Sequence, residues 1–236
     1  MSVRKRGFRM LGLLLAGSAF AIVIGIGAAG AQEGLGPTCP NPNVIQGTDG
    51  PDLLLGTPGN DLINGGGGDD VIDGLDGNDC VRGGPGTDVV QGGNGDDKVQ
   101  GGAGDDTVDG GTLGCCQDGN DEVYGGPGDD TVFGSDTGTT NRLDGGPGND
   151  FVQGFGPDDT AYGRSGQDQV FGFVGEDFLS GGQGNDTVGK GDDVGDDTMT
   201  GGQGADAVDG GPGVDTLDGG PQADVCINGE VVRRCP

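Results

Sequence analysis

The sequence predicts an all-β solenoid, a column of very short parallel strands joined by glycine turns, and three observations point to it. Residues recur with a period of nine, the repeat has one acidic and one apolar slot, and 60 of the 236 residues are glycine while only 4% are aromatic. A fixed short period with fixed slots marks a repeat array, in which each unit buries its apolar side only against its neighbours.

The frame runs from Gly47 to Ile227 in nineteen copies, and Gly101–Asp109, reading GGAGDDTVD, shows it most plainly. Gly holds the first position in every copy except the one beginning at Lys190, and the fourth position in sixteen copies. The sixth is Asp in eighteen copies, with Asn141 the exception, and the eighth is apolar in all of them, from Leu54 to Cys226. Glycine admits positive φ, so the first six residues suit a tight turn, while the last three have the β-branched, alternating character of a short strand. Two copies make one coil of eighteen residues, with strands on opposite faces and turns on opposite edges. One inward side chain per repeat is too little apolar surface to offset the entropy of ordering the backbone. Something besides the core must hold the turns. An acidic, aromatic-poor composition by itself describes a disordered chain, the state expected when that extra element is removed, but disorder leaves the apolar eighth slot unexplained.

The pattern Gly-Gly-x-Gly-x-Asp-x-apolar-x resembles the RTX, or haemolysin-type, calcium-binding repeat over residues 47–227. The resemblance implies a right-handed parallel β-roll of about 19 nonapeptide repeats, two per coil, with multiple Ca2+ ions between turns. It carries the ligand role onto Asp52, Asp61, Asp70, Asp79, Asp88, Asp97, Asp106, Asp121, Asp130, Asp150, Asp159, Asp168, Asp177, Asp186, Asp197, Asp206, Asp215 and Asp224. Elementary chemistry agrees with it. Calcium takes several oxygen ligands, which carboxylates and glycine-freed carbonyls supply. Parallel stacking also brings aspartates of successive coils to ~4.8 Å, where like charges repel unless a cation intervenes.

Residues 1–31 read as a signal peptide: Arg4, Lys5, Arg6 and Arg9 precede an uncharged apolar run from Met10 to about Gly30, and Ala29-Gly30-Ala31 precedes a cut before Gln32. The run is also long enough for an uncleaved membrane anchor. Cleavage removes four basic and no acidic residues, carrying the formal charge from −28 to −32. Nineteen copies allow seventeen pairs two apart, whose divalent ions would bring +34, so full occupancy nearly neutralises the chain. Such a charge disfavours nucleic acid as a partner, and no membrane contact is expected once the signal is cut. Residues 32–46 form an N-terminal cap segment in which Asn43-Val44-Ile45-Gln46 fits an incomplete leading copy, and residues 228–236 form a C-terminal cap tail. Asn228-Gly229 signals a tight hairpin closing the roll. Six cysteines allow fifteen pairings; Cys39–Cys80 and Cys226–Cys235 are favoured, as disulfides that an exported protein keeps. With no CxxC and no His, a cysteine metal site is not expected.

Counting copies from Gly47, insertions fall in the eighth (Leu113 to Asp118), the tenth (two residues within 134–144) and the sixteenth (two within 190–200). The twelfth and fourteenth place Phe155 and Phe173 at the usual second Gly. All are even, so they gather on one edge, the side from which a repeat array meets a partner or else the side where drift is tolerated. Every aromatic residue after the predicted cut lies between 124 and 178, and Phe133, Phe151 and Phe171 fall in outward slots as a short ladder, either for docking or for cross-strand packing.

These readings converge on a secreted, extracellular, non-enzymatic calcium-binding protein that folds on meeting external calcium. Extracellular calcium modules bind with Kd of about 10⁻⁴–10⁻³ M. The alternative is a cell-surface adhesion or matrix module that contacts polysaccharide or a cell-surface partner through the even-repeat edge. An enzyme is disfavoured, because a chain without His has no Ser-His or Cys-His pair.

Overall fold

The last three or four residues of each repeat, where an inward apolar side chain is flanked by outward ones, are extended. In the computed structural model, residues 21–24, 42–111, 119–135, 140–189 and 195–235 are described. Their strands in chain order are β1 Ala21–Ile24, β2 Asn43–Gln46, β3 Asp52–Leu55, β4 Asp61–Asn64, β5 Val71–Asp73, β6 Cys80–Pro85, β7 Val89–Gly93, β8 Lys98–Ala103, β9 Thr107–Gly111, β10 Glu122–Tyr124 and β11 Thr131–Phe133. They continue as β12 Arg142–Pro147, β13 Phe151–Gln153, β14 Thr160–Ser165, β15 Gln169–Phe171, β16 Phe178–Gln183, β17 Thr187–Val188, β18 Thr198–Gln203, β19 Ala207–Asp209, β20 Thr216–Asp218, β21 Val225–Ile227 and β22 Val231–Arg233.

Odd strands make one eleven-stranded sheet and even strands another, each in plain sequence order and parallel throughout. Two repeats therefore form one coil, and the result is a parallel β-solenoid of about ten turns, as a β-roll requires. Register is kept by the eighth position: Ile63 lies beside Val81, Val81 beside Val99, and Leu143 beside Ala161. Where the chain is longer the register still holds, since Val99 pairs with Val123 and Val123 with Leu143. The strands on either side of an insertion thus stay in register. The inserted residues themselves, within 112–118, 136–139 and 190–194, lie outside the described residues.

The core is a single file between the sheets, running from Ile45 and Leu54 to Leu217, with every eighth-position side chain from Leu54 to Leu217 at most 1% exposed. Cys226 closes the file, partly buried, and is bonded to Cys235. Cys80 is also disulfide-bonded; Cys39, its expected partner, lies outside the described residues, as do Cys115 and Cys116.

One expectation at the C-terminal end changes. Asn228-Gly229 does not make an antiparallel hairpin: β22 crosses to the other sheet and pairs in parallel with β20, aligning Val232 with Leu217. The free edge of β20 offers main-chain partners, which outweigh a local turn preference; Val232 itself stays exposed. Asn228 nevertheless takes the left-handed φ of 57° that Asn tolerates. At the other end, Ala21–Ile24, inside the expected signal segment, pairs in parallel with Asp52–Leu55.

The outward phenylalanines meet as expected, and the cluster is larger. Phe151 lies 6.1 Å from Phe133 and 5.6 Å from Phe171, while Phe155 and Phe173 from two even turns stack at 5.4 Å and join them. On the even-strand face, Arg142 and Arg164 lie over Tyr162, and Arg164 bonds Asp144 with two nitrogens.

Candidate metal ladder

The sixth residue of each repeat stands where the glycine turn passes into the strand, so the stacking of coils stacks the aspartates. All eighteen predicted ligands are buried, from 0% to 5% exposed, together with Asn141. They form two continuous ladders, one along each edge. On the odd edge Asp52 N–H donates to Asp70 Oδ1 at 2.8 Å, Asp70 to Asp88 at 2.8 Å, Asp88 to Asp106 at 2.8 Å, and the series runs on to Asp224. On the even edge it runs from Asp61 and Asp79 through Asp121, Asn141, Asp159, Asp177 and Asp197 to Asp215.

A peptide N–H thus stands between successive carboxylates, which the argument from like charges alone did not foresee. It uses one oxygen of each. The other is left over: Oδ2 of Asp70, Asp79, Asp88, Asp97, Asp106, Asp130, Asp150, Asp168, Asp186, Asp206, Asp215 and Asp224 is buried without a hydrogen-bond partner. Orphaned buried acceptors are rare and costly in folded proteins.

Glycine at the first position brings a second oxygen to the same place. A Cβ added to Gly101 would meet Asp106 Oδ2 at 2.5 Å and the Gly125 carbonyl oxygen of the next coil at 2.8 Å; at Gly163 the corresponding atoms are Asp168 Oδ2 at 2.5 Å and Gly181 oxygen at 2.7 Å. Carboxylate and carbonyl oxygens therefore flank these turns in the space that a side chain would fill. Among the described residues no three His, Cys, Asp or Glu side chains converge on one point. The donor set is one of carboxylates and main-chain carbonyls, the hard oxygen chemistry suited to calcium.

Burial also governs protonation. Desolvation, reinforced by neighbouring aspartates and opposed by the N–H bond, pushes Asp79, Asp106 and Asp150 up to about 7 and Asp70, Asp130, Asp168 and Asp186 to about 6. Without a counterion the ladder favours protons.

Sequence reasoning missed three parts of this architecture. Glu230 ends the even ladder, its Oε2 accepting Asp215 N–H at 2.8 Å. Asn141, set aside as an exception, is a working rung whose Oδ1 accepts Asp121 N–H. Fifth-position Asp and Asn side chains build an outer ladder of opposite sense: Asp69 Oδ1 accepts Thr87 N–H, Asp105 accepts Asp129 N–H, and Asn149 accepts Gln167 N–H. The frequency of Asp and Asn at that slot was its signal.

Fold and ladder together define a parallel β-solenoid whose glycine turns present buried oxygens to a hard cation. The family model for the RTX calcium-binding nonapeptide repeat (4 copies) matches residues 46–79, 82–112, 117–137, 135–170, 154–188 and 192–226. These matches cover more than half of the chain, which belongs to the RTX calcium-binding repeat family; that repeat is a structural calcium-binding unit and not a known enzyme fold. A search of curated proteins found no match.

Proposed function

We propose that this is a secreted, non-enzymatic protein that binds several calcium ions along its edges and folds as it binds them. One observation carries the reading: a column of buried carboxylate oxygens without partners in a fold too thin to stand on its apolar file. The sixth-position aspartates and the first-turn carbonyls would hold the ions, which supply the positive charge that the ladder lacks. An export signal at residues 1–31 accords with this, since millimolar external calcium would then meet the chain only after it leaves the cell. Isothermal titration of the full chain tests the proposal. Saturable calcium binding to multiple sites supports it; the absence of binding at millimolar calcium refutes it.

The aromatic cluster favours a second reading, because Phe155 and Phe173 carry apolar surface onto the even edge where the insertions gather. In that reading the calcium-loaded roll is an adhesion or matrix module. Saturable binding to cells or polysaccharide, lost on Phe155→Ser while the variant remains folded in calcium, supports it.

A further inference from the structure

We propose that the two edges are unequal: the odd edge is one continuous cation column from Asp70 to Asp224, whereas the even column is interrupted at Asp61 and again across Asn141–Asp159, and at the latter place aromatic packing takes over as the brace. This rests on calcium being the ion of the ladder.

Every odd-copy aspartate from Asp70 to Asp224 keeps a buried Oδ2 with no hydrogen-bond partner. The even edge differs at Asp61, Asn141 and Asp159. Asp61 is satisfied on both oxygens: Asn43 Nδ2 donates to Oδ1 at 2.9 Å, and Thr57 N–H donates to Oδ2 at 2.5 Å. Asp159 is satisfied as well, with Asn141 N–H on Oδ1 at 2.7 Å and Gly156 N–H on Oδ2 at 3.0 Å. Asn141 reverses the chemistry. Beside Gly134, the place that Asp130 Oδ2 takes beside Gly125 is held by Asn141 Nδ2, which donates to the Ser135 carbonyl oxygen. An amide donor aimed into a turn repels a cation, and a carboxylate whose lone pairs are already engaged has little to offer one.

The brace lies at the same place. Phe155 belongs to the turn that satisfies Asp159, Phe133 precedes the turn that contains Asn141, and their rings lie 6.1 Å apart. Phe155 and Phe173 hold φ of 76° and 83°, in the region that glycine occupies at this slot in most copies. A bulky side chain persists there only where its surroundings repay the strain. Here the repayment is the stack of five rings. An edge relieved of metal binding over this stretch also has less need of regular turns, which fits the two residues inserted within 134–144.

Native mass spectrometry of the calcium-saturated full chain tests the proposal. Asp159→Asn and Asp61→Asn should each retain the wild-type number of ions, while Asp106→Asn and Asp150→Asn on the odd edge should each lose at least one. If Asp159→Asn fails to fold, Asp61→Asn carries the comparison alone. Loss of ions by a folded even-edge variant to the same extent as Asp106→Asn overturns the proposal. A wild-type chain that binds no calcium overturns the calcium reading beneath it instead. The brace has its own arm: the double replacement Phe155→Gly and Phe173→Gly restores the repeat's usual glycines, and should lower the calcium-loaded Tm with the ion count unchanged. A higher Tm, or an added ion, would contradict it.

Discussion

Replacing Asp106 separates the two roles of a ladder carboxylate. Its Oδ1 accepts Asp88 N–H at 2.8 Å, and its Oδ2 has no protein partner. Asp106→Asn keeps an acceptor for Asp88 and removes the charge; Asp106→Ala removes both. An ion that binds only the folded state stabilises it by about 2.7 kcal/mol at a hundredfold excess over Kd, so the Asn variant should lose roughly that amount. Orphaning a buried N–H costs a further 1–3 kcal/mol or so, which puts the Ala variant at about 4–6 kcal/mol. The shared part should grow by about 1.4 kcal/mol for each tenfold rise in calcium. Urea unfolding followed by circular dichroism at several calcium concentrations measures both. Equal losses for Asn and Ala, or an Asn loss that ignores calcium, would refute this division of roles.

Acid should partly replace the ion. Buried aspartates with folded pKa values raised to about 6 or 7 hold protons more tightly than the unfolded chain does, so their contribution is complete below about pH 4 and lost as pH rises through those values. The metal-free chain should therefore gain β signal when acidified from pH 8 to pH 5, and an unchanged spectrum would contradict this. In the core, Leu143→Ala should cost about 2–5 kcal/mol in calcium, since Leu143 is fully buried between Val123 and Ala161, which the sheet register holds in place; thermal melts against Thr131→Ala check it. Gly102→Ala should prevent calcium-driven folding, because at φ +136° its Cβ would overlap the Gly84 carbonyl oxygen of the preceding coil. Retention of the wild-type dichroism spectrum in calcium would contradict that.

Much of the fold was legible in the sequence because one slot in nine decides it. The eighth position names each inward residue from Leu54 to Leu217 and sets a register that even six inserted residues do not disturb. The C-terminal strand was not legible, because Asn228-Gly229 carries a local hairpin signal while the free edge of β20 that overrides it exists only once the coils have stacked. In the site, spacing located every carboxylate but not the state of its oxygens. Asp106 and Asp159 look alike in the repeat, yet Oδ2 is free in the first and bonded to Gly156 N–H in the second. That difference follows from where an individual turn aims one peptide N–H, and Pro157 in place of the fourth glycine changes the turn without announcing how. The ladder hydrogen bonds escaped for the same reason: they join residues a full coil apart, and only main-chain geometry brings them together.

The central claim is that cations at the buried aspartate ladder supply what a one-residue-wide core cannot. Far-UV circular dichroism of the metal-stripped full chain across a calcium titration tests it most directly. A cooperative passage from coil to β structure at about 10⁻⁴–10⁻³ M calcium is the predicted result. The same β content in chelator, or a coil that persists in excess calcium, would contradict it.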